Sequence, residues 1–545
     1  MTSYGFLSLL PPIIAIVCAF ISKDVIVSLC LGVLSGLLII NDYNVFSSVL
    51  GFADLLAKLV GDSWNVRILM FCAMLGALVA MLSATGAAGA FGAWASAKVR
   101  SKRGAGLMSF VFGIFIFIDD YFNSLAIGTI MRPISDKMRL SRAKLAYILD
   151  STAAPVCIIA PISSWVVTVM SALDKTYGFE KLNMTPFEFF IHSIAYNLYA
   201  IATLLFVLYI ILSGRDFGPM AKSEALARDG KLFNEHKYGT CAAHLSEEKN
   251  ERAKPIDMLL PLILLVVSAV IFFPLSTYFS SIDGEKITTF SQAYAAMSIS
   301  DAFKNTDASV ALFYAITWTI LLSYIYFVAR GLLSVGKASA SLELGIKSMV
   351  PALIILALAW CLGTIIKASP ADGGLGLGFF LSEIFKDASY LVAFLPLAMF
   401  IISAIMAFAT GTSWGTFAIM IPLAMPIILA LMNGEGYDEM LTMTLMSIAA
   451  VLSGAVLGDH ISIISDTTIL SSTGAGCPHL EHVSTQMPYA LFVATACAVG
   501  FLAGAVAQSL AVAWIATLAL LFGGIIMLSK FADSVGLIKS EVKQN

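Results

Sequence analysis

Long apolar runs separated by short charged clusters dominate the chain, and 190–212, 258–278 and 309–329 each carry no Asp, Glu, Lys or Arg. About 20 apolar residues cross a bilayer core as a helix, the form in which a lipid-exposed backbone satisfies its own polar groups. This pattern predicts helices over about 6–21, 25–41, 67–97, 144–172, 188–213, 257–279, 309–333, 346–380, 440–474, 487–508 and 509–529. Two further apolar segments, 105–131 and 388–432, do not read as simple spans. The first has Asp119 and Asp120 near its middle, and the second the polar patch ATGTSWGT (409–416).

Basic clusters flank 105–131 on both sides: Lys98, Arg100, Lys102 and Arg103 before it, and Arg132, Lys137, Arg139, Arg142 and Lys144 after it. Clustered Lys and Arg beside apolar segments mark the cytoplasmic side. The segment therefore enters and leaves from one side and is too short for two full spans. A re-entrant hairpin with the aspartates at its tip is predicted. Carboxylates at that depth are costly and mark a binding site.

The two halves share a plan. Each has two helices, a long helix, a hairpin-sized element, a second long helix and one more helix. The predicted fold is thus an all-α polytopic membrane protein, with about 11 transmembrane helices and two re-entrant hairpins in two inverted-topology repeats. Residues 1–213 form the first repeat with hairpin 105–131, and 257–508 the second with hairpin 388–432. Residues 214–256 are a hydrophilic linker, and 509–545 an extra C-terminal helix and tail. At 45 residues, 388–432 is also long enough for two spans. Counting sides from the basic clusters places the linker and the tail, with Lys539 and Lys543, in the cytoplasm of a bacterial-type inner membrane. Inverted repeats are common in secondary transporters, which bind ions and substrate near the midplane.

Composition agrees. The chain is 59% hydrophobic and 12% charged, against about 25% charged in soluble domains. A net charge of −3 implies no nucleic-acid partner. The first apolar run lacks a basic n-region and reads as a retained helix. The eight cysteines are scattered without a C-x-x-C pair and read as small buried hydrophobes. No HExxH, P-loop or dinucleotide fingerprint occurs, which argues against a cofactor enzyme or an ATP-driven pump. AVLGD at Asp459 lacks the first glycine of a membrane aspartyl protease, and VLSG at Ser453 is not a rhomboid-type serine site.

Four polar patches interrupt apolar sequence: IDDYFNS (118–124), DSTAAPVCIIAPISSW (150–165), TGTSWG (410–415) and GDHISIISDTT (458–468). Asp119, Asp120, Asp150, Asp459 and Asp466 are the candidate ion or proton carriers. Pro155 and Pro161 each remove a backbone donor. The freed carbonyls, hydroxyls and carboxylates form a hard oxygen shell suited to Na⁺, with Asp120, Ser163, Thr412 and Asp459 as its proposed ligands. Asn123, Ser124, Ser163, Ser164, Trp165, Thr412, Ser413, Trp414, His460 and Thr467 are candidates for contact with substrate. Blander roles stand beside these. Asp150 is close enough to Lys144 for an interfacial pair, the hydroxyls can mend broken helices, the tryptophans can pack or gate, and His460 can be structural. Lys367 and Asp372 read as a mutually neutralising pair.

FIDDYFNSLAIGTIMRP (117–133), DSTAAPVCIIAPISSW (150–165), GTSWGTF (411–417) and LGDHISIISDTTILSSTGAGC (457–477) resemble the NhaC family of Na⁺/H⁺ antiporters. The resemblance covers most of the chain except 214–256 and 280–308. It implies a homodimer with a mobile transport domain against a scaffold, working by an elevator-like motion. It implies exchange of Na⁺ for H⁺, with Na⁺ as coupling ion, no other cofactor, and the lipid bilayer as surroundings. Relatives under this name also exchange malate for lactate or carry amino acids. The alternative is therefore Na⁺- or H⁺-coupled transport of an amino acid or small carboxylate.

Overall fold

The computed structural model describes residues 3–534 except 23, 118, 175, 240–249, 283–286, 305, 378, 381–388 and 433–435. The described residues are helical throughout their ordered elements and contain no strand. Nine helices among them are long and apolar enough to cross a membrane, and four shorter apolar ones accompany them.

The first half begins with α1 (Leu10–Ser22), α2 (Val25–Ile40) and α3 (Val45–Val60). Helix α3 was not predicted. It carries Asp54 and Lys58, and Asp42 precedes it, so no window of about 20 residues across it is free of charge. The predicted helix 67–97 is two, α4 (Ser63–Ala84) and α5 (Ala87–Lys98), broken where Gly86 takes a φ of 70°. Next come α6 (Lys102–Phe115), α7 (Asp120–Lys137), α8 (Arg142–Cys157) and α9 (Ser164–Asp174). The predicted helix 188–213 is also two, α10 (Pro186–Ile194) and α11 (Leu198–Ser213). Asn197 caps the second by accepting from Ala200 N.

The linker is partly helical, with α12 (Gly218–Arg228) and the single turn α13 (Glu235–Tyr238); residues 240–249 lie outside the described residues. Helix α12 is tied to the body by a buried charge cluster. Lys144 Nζ lies 2.8 Å from Asp216 and 3.9 Å from Glu224, which also pairs with Lys102.

The second half contains α14 (Pro255–Ser280), α15 (Phe290–Ala296), α16 (Ile299–Lys304), α17 (Ala308–Ala329) and α18 (Val335–Lys367). Helix α18 starts earlier and ends earlier than the predicted 346–380. Ser369 Oγ donates to Asp372. The stretch 388–432 divides into α19 (Leu395–Thr410) and α20 (Ser413–Leu431), each long enough to cross when counted with its flanking turn. The chain continues through α21 (Tyr437–Ile461), α22 (Asp466–Ala475), α23 (His479–Ala507) and α24 (Leu510–Ser534). The tail with Lys539 and Lys543 lies outside the described residues.

Four breaks in these helices position the site. They fall between α6 and α7, α8 and α9, α19 and α20, and α21 and α22, so both halves contain two in the same order. Three of the breaks carry their own start signal. Thr412 and Ser465 cap α20 and α22 through Gly415 N and Thr468 N, and Ser163 Oγ accepts from Val166 N at the start of α9. At 14 residues, α6 is about 21 Å long, short of the ~30 Å hydrocarbon core.

Candidate functional site

The four breaks meet. Cys157 Sγ donates to Phe117 O, joining the two breaks of the first half. Ser462 Oγ donates to Phe408 O, and Gly411 lies against Ile464, joining those of the second. Across the halves, Ser471 Oγ donates to Ser124 Oγ at 3.1 Å, and Tyr121 OH donates to Asp466 at 3.2 Å. Helices α7 and α22 cross at Gly128 and Gly474. A Cβ on Gly128 would sit 2.5 Å from the Gly474 backbone, so no larger residue permits this approach.

Helices α7, α9, α20 and α22 all begin at the breaks, while α6, α8, α19 and α21 end there. Helix N-termini carry partial positive charge and C-termini partial negative charge. The region therefore offers carbonyl-rich ends to a cation and N–H-rich ends to a carboxylate.

The first pair of candidates is buried. Asp119 accepts from Ser164 Oγ at 3.4 Å. Asp120, at the first position of α7, has neither carboxylate oxygen in a hydrogen bond. The Trp165 indole N–H is buried and faces Asp120 without reaching normal hydrogen-bond distance. Trp165 packs edge-on to Trp414, with centroids 6.3 Å apart, and to Phe417, so the two tryptophans touch across the halves. A cavity of about 220 Å³ opens beside them. Asp119, Tyr121, Ser348, Trp414 and Asp466 supply its polar lining, and no Lys, Arg or His lines it. Asp466 is exposed at this cavity rather than buried in the core.

Asp150 sits in a second centre, fully buried, where it is far from an interfacial pair with Lys144. It accepts from Gln486 Nε2 and from Thr468 Oγ1 at 3.2 Å, and it lies 3.4 Å from Ser471 Oγ. His482 Nε2 lies 3.8 Å away. Asp459 accepts from Ser465 Oγ and, at 2.8 Å, from Thr467 Oγ1 across the α21–α22 break. His460 Nδ1 is 3.1 Å from Tyr199 OH, and its Nε2 is buried without a partner.

Several predicted residues act on the backbone. Asn123 Nδ2 shares its two protons among the carbonyls of Gly113, Ile116 and Thr152 at 2.8, 2.8 and 3.2 Å, closing the end of α6. Ser163 Oγ donates to Cys157 O at 2.8 Å. Ser413 Oγ donates to Ala455 O at 3.1 Å. Thr412 is half-buried at its capping position. Of the four proposed Na⁺ ligands, Ser163 and Thr412 thus already serve local backbone, whereas Asp120 has unspent oxygens.

Tyr121, Thr468, Ser471, His482 and Gln486 were missed. The predicted helix 487–508 begins at His479 instead, which puts HLEHVSTQ on its first two turns. The signal was present in the spacing, since His479, His482 and Gln486 fall at i, i+3 and i+7 and share one helical face.

Apolar helices with buried carboxylates at convergent breaks define a multi-pass membrane secondary transporter. The comparisons agree, since the profile of the Na⁺/H⁺ antiporter family matches residues 156–506. The chain belongs to that family. An uncharacterised protein of Haemophilus influenzae is 36% identical over 506 residues, covering 91% of this chain and 90% of its own. The malate-2H⁺/Na⁺-lactate antiporter of Bacillus subtilis is 41% identical over 91 residues, 17% of this chain and 18% of its own. Among solved structures, the Alcanivorax borkumensis YdaH transporter aligns with a TM-score of 0.46 at 13% identity, covering 88% of this chain and 90% of that one.

Proposed function

We propose that this transporter exchanges Na⁺ for H⁺, with Asp120 as the carboxylate that alternates between them. The observation that carries this reading is the burial of both Asp120 oxygens without a hydrogen bond. An ionised carboxylate without a partner is strongly disfavoured in a low-dielectric interior, so the group takes up either a proton or a cation. One oxygen pair that must hold one or the other is the minimal device for exchange. Asp119, Ser164 and the carbonyl ends of α6 and α8 are at hand to complete an oxygen shell. The family supports Na⁺/H⁺ exchange, and the matched breaks of the two halves support alternating access between them across the cytoplasmic membrane.

The second reading, coupled transport of a small organic solute, draws on the cavity beside Asp119 and Asp466. Its volume suits a solute of a few heavy atoms. Its two carboxylates and lack of a cationic side chain favour an ammonium group over a carboxylate anion.

Reconstitution in liposomes tests both. With an imposed Na⁺ gradient and an internal pH dye, antiport predicts proton movement with no organic solute present, abolished in Asp120→Asn. Uptake of a labelled amino or organic acid without Na⁺-driven pH change overturns it in favour of the second reading.

A further inference from the structure

The centre around Asp150 has no part in that scheme, yet it is a densely hydrogen-bonded buried cluster. Gln486 fixes its logic. The amide nitrogen faces two acceptors, Asp150 Oδ2 and His460 O, so the amide oxygen faces His482 Nε2 at 2.9 Å. His482 Nε2 must then carry a hydrogen. At the other ring nitrogen, Nδ1 lies 3.3 Å from Thr468 O, which can only accept, and 2.8 Å from Ser472 Oγ. Ser472 Oγ is in turn placed to donate to Thr468 O at 2.7 Å. Both ring nitrogens therefore face acceptors, and Asp150 stands 3.8 Å away as counter-charge. The shell holds an imidazolium with both N–H groups paired, and it holds the neutral ring when Ser472 Oγ donates to Nδ1 instead.

A route connects the ring to the surface. His479, half-exposed at the start of α23, holds its Nδ1 3.0 Å from the same Ser472 Oγ, while its Nε2 donates to Ile463 O. A proton on His479 Nδ1 can pass to Ser472 Oγ as the hydroxyl releases its own hydrogen to His482 Nδ1. One O–H bond forms as another breaks, and the charge moves from one ring to the other.

We infer that His482 and Asp150 form a second proton-binding site, loaded through His479 and Ser472, that holds a proton apart from the Asp120 carboxylate where H⁺ and Na⁺ exchange. This rests on the Na⁺/H⁺ reading and changes its coupling: exchange then links two centres through the α21–α22 break, where Thr468 Oγ1 contacts both Asp150 and Asp459 O. The titratable groups facing His482 are Asp150 on α8 and His479 on its own helix, with His460 and Asp459 on α21 one hydrogen-bonded residue further away. Glu481, next in sequence, points elsewhere and accepts from Ser223 Oγ and Asn234 N.

The test compares wild type, His482→Gln and Ser472→Ala in proteoliposomes, by Na⁺-driven proton movement across a pH series and by Na⁺–Na⁺ exchange, which moves no net proton. The proposal expects His482→Gln to lower proton movement on the order of 100-fold and to flatten its pH dependence while Na⁺–Na⁺ exchange continues. Ser472→Ala, a milder change that keeps the test open if His482→Gln does not fold, should slow proton movement without displacing the pH profile. A wild-type profile in both variants overturns the proposal. If wild type itself moves no protons against Na⁺, the antiport reading fails instead. ¹⁵N-histidine spectra then read the pair directly: a signal absent from His482→Gln that is imidazolium in wild type and neutral in Asp150→Asn retains the pair, and a neutral wild-type ring rejects it.

Discussion

Asp120 and Asn123 lie three residues apart on the same broken element and do opposite things. No hydrogen bond of normal length reaches the Asp120 oxygens, so replacing it by Asn removes the cost of a buried lone carboxylate. Asp120→Asn is expected to stop exchange while raising thermal stability by about 1 kcal/mol, the usual trade between a strained site and its fold; a detergent melting curve beside a transport assay reads both. The amide nitrogen of Asn123 is fully engaged, while its Oδ1 is buried without a partner. Asn123→Ala orphans three buried carbonyls and is expected to cost about 2–4 kcal/mol, seen as a fall in melting temperature. Both residues stood out in the sequence as polar groups in apolar surroundings, but polarity does not say which group is satisfied. That depends on neighbours such as Gly113 and Thr152, one of them 29 residues away.

At the scale of elements, the breaks were legible from their residues: Gly411 with Thr412, the Ser462–Ser465 stretch, and the aspartates at 119 and 120. The pairing of breaks was not. Gly411 combines a φ of 72° with a position where a Cβ would approach Ile464 O to 2.6 Å. Gly411→Ala is therefore expected to cost at least about 2 kcal/mol, more than conformational strain alone, in urea or thermal unfolding of the purified protein. Gly474→Leu should separate α7 from α22 and lower transport together with stability, because Ser471–Ser124 and Tyr121–Asp466 sit on the same crossing. Helix boundaries failed where a single glycine or asparagine divides an apolar run, as at Gly86 and Asn197. Hydropathy averages over a window and does not see one residue.

At the scale of the molecule, the linker belongs to the body rather than hanging from it. Lys144 joins Asp216 and Glu224 with all three side chains almost fully buried. Removing one member of such a cluster leaves uncompensated charge. Lys144→Met is expected to destabilise the protein by about 3–5 kcal/mol and to speed tryptic cleavage after Arg228 and Lys231, with little protection from added salt because the pair is shielded from solvent. Retention of wild-type cleavage rates would show that α12 docks without the cluster.

Sequence alone determined that this chain is helical and membrane-embedded, and that four polar interruptions carry its chemistry. Those properties follow from local rules, since apolar length, charge exclusion and helix-breaking residues act over one turn to one span. Tertiary structure decided which polar groups are spent on mending helices, which stand unpaired as Asp120 does, and which join a relay as His479, Ser472, His482 and Asp150 do. Hydrogen-bond satisfaction in a buried site is a property of groups brought together from distant segments, and three of that relay's residues lie more than 300 positions from the aspartate they serve.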